Sequence, residues 1–190
     1  TLRSIMKGFV RTIDSLNTAN IKLIGEKQAI SQKYDKEKQR SNQLNEKANE
    51  LEETVKKGQQ LTAASILVEG LKMKWNNTYR AIDKADKVDK LKSCVTIAEN
   101  RIAPSGNRYV YVRVVSPSGK VLSEDQSESK MFNYEGVRGL YTVKKAIKYE
   151  NKDLEVCLYW EPNTPLTPGT YIFHVYSDGV EIGKANLELN

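Results

Sequence analysis

From Leu2 to Val55 the chain runs without a proline, and its apolar residues recur in a seven-residue register that needs no skip. Position a holds Met6, Ile13, Asn20, Lys27, Tyr34, Ser41, Ala48 and Val55, and position d holds Leu2, Phe9, Leu16, Leu23, Ile30, Glu37, Leu44 and Leu51. Twelve of these sixteen positions are apolar, whereas the other thirty-eight carry only Ile5, Val10, Ala19, Ile21, Ile24 and Ala29. A single helix cannot bury such a stripe against itself, and helices in water owe most of their stability to burying that face. The segment therefore requires a partner helix. A strict seven-residue period keeps the seam on one partner only when the helices supercoil left-handedly, and at about 1.5 Å per residue the rod spans roughly 80 Å.

The seam is predicted to comprise Met6, Phe9, Ile13, Leu16, Asn20, Leu23, Lys27, Ile30, Tyr34, Leu44, Leu51 and Val55. A buried amide at an a position is satisfied when it meets its own copy across a parallel two-stranded interface, so Asn20 argues for a parallel homodimer. Lys27 agrees, because its stem can carry the ammonium out of a dimer seam more easily than out of a trimer's enclosed core. A trimer is the alternative. Polar Lys27, Glu37 and Ser41 weaken the middle of the seam, but no turn chemistry supports a fold-back: Gly25 occupies an outer f position, and the next glycine is Gly58. Lys56 and Lys57 before Gly58 read as a helix end, with cations at the negative pole and a residue free to take positive φ. Residues 1–58 form the expected stalk.

Past Gln60 the period changes from seven to two. Strands are predicted at about 64–75, 91–99, 109–116, a short one at Val121, then near 130–134, 140–149, 154–160, 170–177 and 180–189. Asp178–Gly179 is a strong hairpin signal, and Ser116-Pro117-Ser118-Gly119 suits a turn. Short strands with regular turn signals and no intervening helix predict an antiparallel, immunoglobulin-like β-sandwich over residues 63–190. Its predicted core is Val95, Ile97, Val110, Val112, Val114, Val143, Ile147, Val156, Leu158, Trp160, Tyr171, Phe173, Val175, Leu187 and Leu189. The whole is α+β in two separate parts. An apolar content of 39% supplies one core rather than two.

The residues argue against catalysis. His174 is the only histidine, so any Ser/His/Asp or Cys/His arrangement would have to centre on it, and no strained nucleophile turn accompanies it. Gly119-Lys120 is followed by Val121, without the hydroxyl or upstream glycine of a triphosphate loop. One histidine and two distant cysteines do not make a zinc site, and the acids lack calcium-loop spacing. Neither cofactor nor metal is expected. Cys94 and Cys157 each alternate out of phase with the main apolar set of their strand; they read as free thiols, with a disulfide the alternative.

Two surfaces remain as binding candidates. The segment 72–92 interleaves Lys72, Lys74, Arg80, Lys84, Lys87, Lys90 and Lys92 with Trp75 and Tyr79, a combination that can neutralise phosphates and stack on unpaired bases. Its aspartates Asp83, Asp86 and Asp89 blunt the field, and a net charge of +6 from 30 basic and 24 acidic residues does not single out nucleic acid. The other is a set of tyrosines on the secondary strand face, Tyr109, Tyr111, Tyr159 and Tyr176. On adjoining strands they would make an amphipathic patch for a protein or glycan; otherwise they cover the sheet.

The stretch from Ala98 to Arg108 with the strand Tyr109–Val115 resembles Bacteroidetes proteins that pair a coiled coil with a C-terminal β domain. So do Val156 to Trp160, Pro168 to Tyr171, Ser177-Asp178-Gly179 and Ile182-Gly183. The resemblance covers residues 58–190 and implies a cell-envelope address, periplasmic or surface-attached, behind a signal or membrane anchor. The first residue, Thr1, reads as lying downstream of such a segment. The expectation is a non-enzymatic interaction protein of the envelope, a dimer presenting binding heads. A nucleic-acid-associated coiled coil and a glycan-binding module are the alternatives.

Overall fold

A computed structural model describes residues 2–190. The chain divides into two units, one running through Thr54 and the other from Val55 to Asn190. The first is a single helix, α1 (Leu2–Gly58), whose last turn belongs to the second unit. Every residue of α1 from Leu2 to Lys57 is exposed, and the apolar seam residues are open to between 45% at Val55 and 76% at Leu2.

The helix continues through Gly58 without the positive φ expected there. The carbonyls of Val55 and Lys57 accept from the Gln59 and Gln60 N–H groups, and the Asn100 Nδ2 donates to the carbonyl of Gly58 at 2.8 Å and to that of Gln60, just past the helix, at 3.0 Å. A side-chain donor thus does part of the work that a left-handed glycine commonly does at a helix C-terminus.

The second unit is built of ten strands: β1 (Ala63–Met73), β2 (Tyr79–Ala81), β3 (Lys90–Ile97), β4 (Gly106–Val115), β5 (Met131–Tyr134), β6 (Val137–Leu140), β7 (Val143–Tyr149), β8 (Leu154–Trp160), β9 (Gly169–Ser177) and β10 (Val180–Leu189). They form two four-stranded sheets, ordered β2-β1-β3-β8 and β10-β9-β4-β7, and a two-stranded ribbon β5-β6. Every pairing is antiparallel. Val121 contributes only an isolated bridge to Val115.

The core lies between the two sheets because their strands alternate apolar and polar residues. Val95 and Ile97 of β3, Val110, Val112 and Val114 of β4, and Phe173 and Val175 of β9 are essentially sealed from solvent. Leu61, Ala85, Leu91, Ala103, Tyr149, Leu166 and Ile182 extend this core beyond the predicted set, while Val143 and Leu187 are only partly buried. Tyr171, at the start of β9, ties down the preceding connection: its hydroxyl donates to the carbonyl of Thr167 at 2.8 Å and accepts from the Thr167 N–H at 3.0 Å. A tyrosine bonded back to the backbone at this corner is a hallmark of immunoglobulin-like sandwiches.

Candidate functional site

The four tyrosines do not form one patch. Tyr159 lies on β8, in the other sheet from Tyr109 and Tyr111 on β4 and Tyr176 on β9. Tyr111 and Tyr176 are directly paired across β4 and β9 on the outer face of their sheet, but Tyr176 is only 3% exposed. The β5-β6 ribbon covers them. Phe132 stacks on Tyr111 at 4.6 Å between ring centres and meets Tyr176 edge-on at 5.3 Å, while Tyr134 and Tyr141 close the sides. The rings form a second, smaller core on the outside of the sheet, and edge-to-face contacts of this kind favour a fixed geometry. Burial pushes the Tyr176 phenol up to about 12, helped by the nearby Glu181 carboxylate. Tyr109 alone of this set stays half exposed on that sheet, with the Lys144 ammonium 5.7 Å from its ring.

His174 has an identifiable structural role. Its Nδ1 lies 3.1 Å from Glu181 Oε2 across the β9–β10 hairpin, and its ring stacks beside Tyr176 at 6.3 Å. Two neighbours therefore hold the imidazole in place.

The cysteines depart from the free-thiol expectation. Cys94 and Cys157 face each other across β3 and β8 and are joined in a disulfide, with their Cα atoms 4.0 Å apart. Closely opposed residues of an antiparallel pair bring side chains near enough for such a bond. Both sulfurs lie on the outward face of the sheet, out of phase with Val95 and Val156, with Leu67 of β1 alongside. A Glu155 carboxylate oxygen lies within 4.8 Å of both sulfurs, but joined sulfurs offer no thiolate to a metal.

On that outward face polar rungs three strands wide flank the row of Leu67, Cys94 and Cys157. Glu69, Lys92 and Tyr159 align across it, with an ion pair of 2.9 Å between Lys92 and Glu69. Ser65, Thr96 and Glu155 align further along, and the Ser65 hydroxyl donates to that of Thr96 at 3.0 Å. Tyr159 also borders a cleft of about 490 Å³ with Tyr141, Trp160 and Asn163. Of the charged groups lining this cleft, Lys130 pairs with Glu124, Glu161 pairs with Lys90 of β3, and the Lys144 ammonium lies 5.5 Å from the Tyr141 ring; the Glu161 pairing holds the Lys90 ammonium above its ordinary range.

The basic segment is resolved into a hairpin and its return. β1 and β2 pair Lys72 with Arg80 and Met73 with Tyr79, and the turn between them, with Asn77 at φ 59°, carries Trp75 at its tip. Trp75 is 97% exposed. Two of the aspartates read as blunting the field are engaged locally: Asp89 Oδ2 accepts from the Met73 N–H at 2.8 Å, and Asp83 accepts from the Asn190 backbone and side chain. Lys90 lies over the Tyr79 ring at 4.6 Å.

A helical coiled-coil region joined to an immunoglobulin-like β-sandwich, with its cysteines paired and its histidine held by a carboxylate, defines the class. The chain belongs to the family described as a domain of unknown function, DUF8428, whose model matches residues 64–190. A coiled-coil region of unknown function, DUF8429, matches residues 1–49. Among solved structures, the chain is similar to an immunoglobulin-like protein from Pseudomonas aeruginosa at 11% identity and a TM-score of 0.33, covering 69% of this chain and 97% of that one. It is also similar to the Pseudomonas fluorescens alkylpurine DNA glycosylase AlkC bound to DNA containing an abasic site analog, at 12% identity and a TM-score of 0.34, covering 68% of this chain and 30% of that one. The chain thus spans less than a third of the glycosylase. No curated protein matches it.

Proposed function

We propose that the protein is a non-enzymatic interaction protein of the cell envelope, in which α1 pairs in parallel with a second copy and the sandwich serves as the binding head. One observation carries the reading: the apolar stripe of α1 stands in water in the single chain, from Leu2 to Val55. Burying one leucine or isoleucine is worth about 1.5–3 kcal/mol, so a seam with seven of them, Leu2, Ile13, Leu16, Leu23, Ile30, Leu44 and Leu51, gives a strong drive to associate. Asn20 favours the parallel two-stranded arrangement.

The envelope address is supported by the Cys94–Cys157 disulfide, because such bonds form and persist in oxidising compartments. The non-enzymatic reading is supported by the disulfide, which leaves neither Cys94 nor Cys157 as a thiol nucleophile. A glycan platform built on all four tyrosines loses its surface, since Tyr176 lies beneath the ribbon and Tyr159 stands on the opposite sheet.

Light scattering at micromolar concentration is expected to give a dimer. Asn20→Leu should raise the stability of the rod and admit higher oligomers; a monomeric wild-type chain would overturn the pairing, and an unchanged stoichiometry in the variant would remove the role given to Asn20. Protein taken from its native compartment should show no alkylation at Cys94 or Cys157 without reductant. Two free thiols there would withdraw the support for an envelope address.

A further inference from the structure

The β1–β2 hairpin has two chemically distinct sides. Because strand side chains alternate, Met73 and Tyr79 lie opposite each other on one side, and Lys72 and Arg80 on the other. Lys74 and Trp75 follow β1 in the turn that joins the two strands. Between Leu71 and Ile82 there are three cations and no carboxylate. Among the described residues, Lys72, Lys74 and Arg80 have no ion-pair partner, in contrast to Lys90 and Lys92, which pair with Glu161 and Glu69. An indole left 97% in water forgoes the burial that a tryptophan ordinarily obtains.

We propose that this hairpin docks the sandwich on an anionic lipid surface, the Trp75 ring entering the headgroup layer while Lys72, Lys74 and Arg80 meet lipid phosphates. The proposal deepens the reading of the sandwich as a binding head. Indole rings concentrate at membrane–water interfaces, where the ring is sheltered and its N–H stays wet. Basic side chains beside it gain from the negative potential of anionic lipid. Single-stranded nucleic acid shares the phosphate chemistry, but its binders line a groove with successive rings. Here one indole protrudes, and the neighbouring Tyr79 ring is occupied by Lys90. The disulfide places the head more naturally among envelope lipids than among cytosolic nucleic acids.

The test is vesicle co-sedimentation of the full chain, with phosphatidylcholine alone, an equal mixture with phosphatidylglycerol, and a single-stranded oligonucleotide as a third ligand. Light scattering on the same samples reports the rod separately, so a failure of dimerisation is told apart from a failure of docking. Binding is expected to the anionic vesicles only, and to weaken with salt. Trp75→Ala should weaken it about tenfold. Replacing Lys72, Lys74 and Arg80 together by Gln should weaken it roughly a hundredfold, at about fivefold per cation. The emission of Trp75 should shift to the blue on binding, and no shift should remain in Trp75→Phe, because Trp160 is already buried. All these positions except the half-buried Lys72 are open to solvent, and circular dichroism checks that each variant folds. A dimer that ignores anionic vesicles, a Trp75→Ala variant that binds them as wild type does, or preference for the oligonucleotide would overturn the proposal.

Discussion

At the scale of single residues, Asn100 links the end of α1, the segment after β3 and the core ring of Tyr149. Its Nδ2 donates to the carbonyl of Gly58, the last residue of α1, and to that of Gln60 just beyond, its Oδ1 accepts from the N–H groups of Ile102 and Ala103, and its own N–H donates to Tyr149 Oη at 2.7 Å. Tyr149 in turn donates to the carbonyl of Ala98, so a buried core ring and a helix end meet through one amide. Asn100→Ala removes four of these bonds and leaves partly buried groups without partners, at a cost of about 2–4 kcal/mol. Asn100→Asp keeps the two acceptor contacts and should fall between. Urea unfolding followed on the sandwich checks both: the midpoint should drop with an unchanged slope, and a shift below about 0.5 kcal/mol would show that the network is dispensable. Nothing in the sequence marks this residue, because an asparagine between strands has many local uses and its partners at Gly58 and Gln60 are some forty positions away.

At the scale of elements, legibility follows length and periodicity. The uninterrupted heptads of α1 and the alternating valines of β4 announce themselves because many residues repeat one phase. β2 and β6 have three and four residues, too few for a period to stand out, although Glu135-Gly136, with φ of 47° and 79°, is the same turn chemistry as Asp178-Gly179. Missing β6 hid the ribbon that covers Tyr111 and Tyr176. The disulfide was hidden for a different reason: that Cys94 and Cys157 face away from the core could be read from their phase, but their pairing depends on β3 and β8 being neighbours across 63 residues. The ribbon has a measurable consequence. The Tyr176 phenol is raised from its ordinary 10 to about 12 by burial beneath it, so the fold favours the neutral form. That contribution is complete below pH 10 and is lost as pH rises from there through about 12, because the unfolded chain releases the proton first. Tyr176→Phe has no proton to release, so its stability should decline less steeply over that window. Alkaline unfolding measured by circular dichroism compares the two slopes; equal slopes would show that Tyr176 is not shielded.

At the scale of the molecule, the proposed pairing of α1 would make the two units respond to different variables, because different bonds would hold them. An associating rod gains stability with protomer concentration, whereas a sandwich closed by its own core and disulfide does not. The Cys94–Cys157 link spans 63 residues, and constraining an unfolded loop of that size is worth about 4 kcal/mol. For a sandwich of this size that corresponds to a fall of roughly 15 °C in melting temperature when the bond is reduced. Differential scanning calorimetry of the full chain should therefore resolve two transitions. Raising the protein concentration tenfold should move only the rod's, and adding reductant should move only the sandwich's. Sulfur chemistry has no route to the rod, since neither cysteine lies in α1. A single transition that moves with both variables would mean that the units unfold as one, and a sandwich indifferent to reductant would mean that β3 and β8 are held by their ladder and the core beneath them.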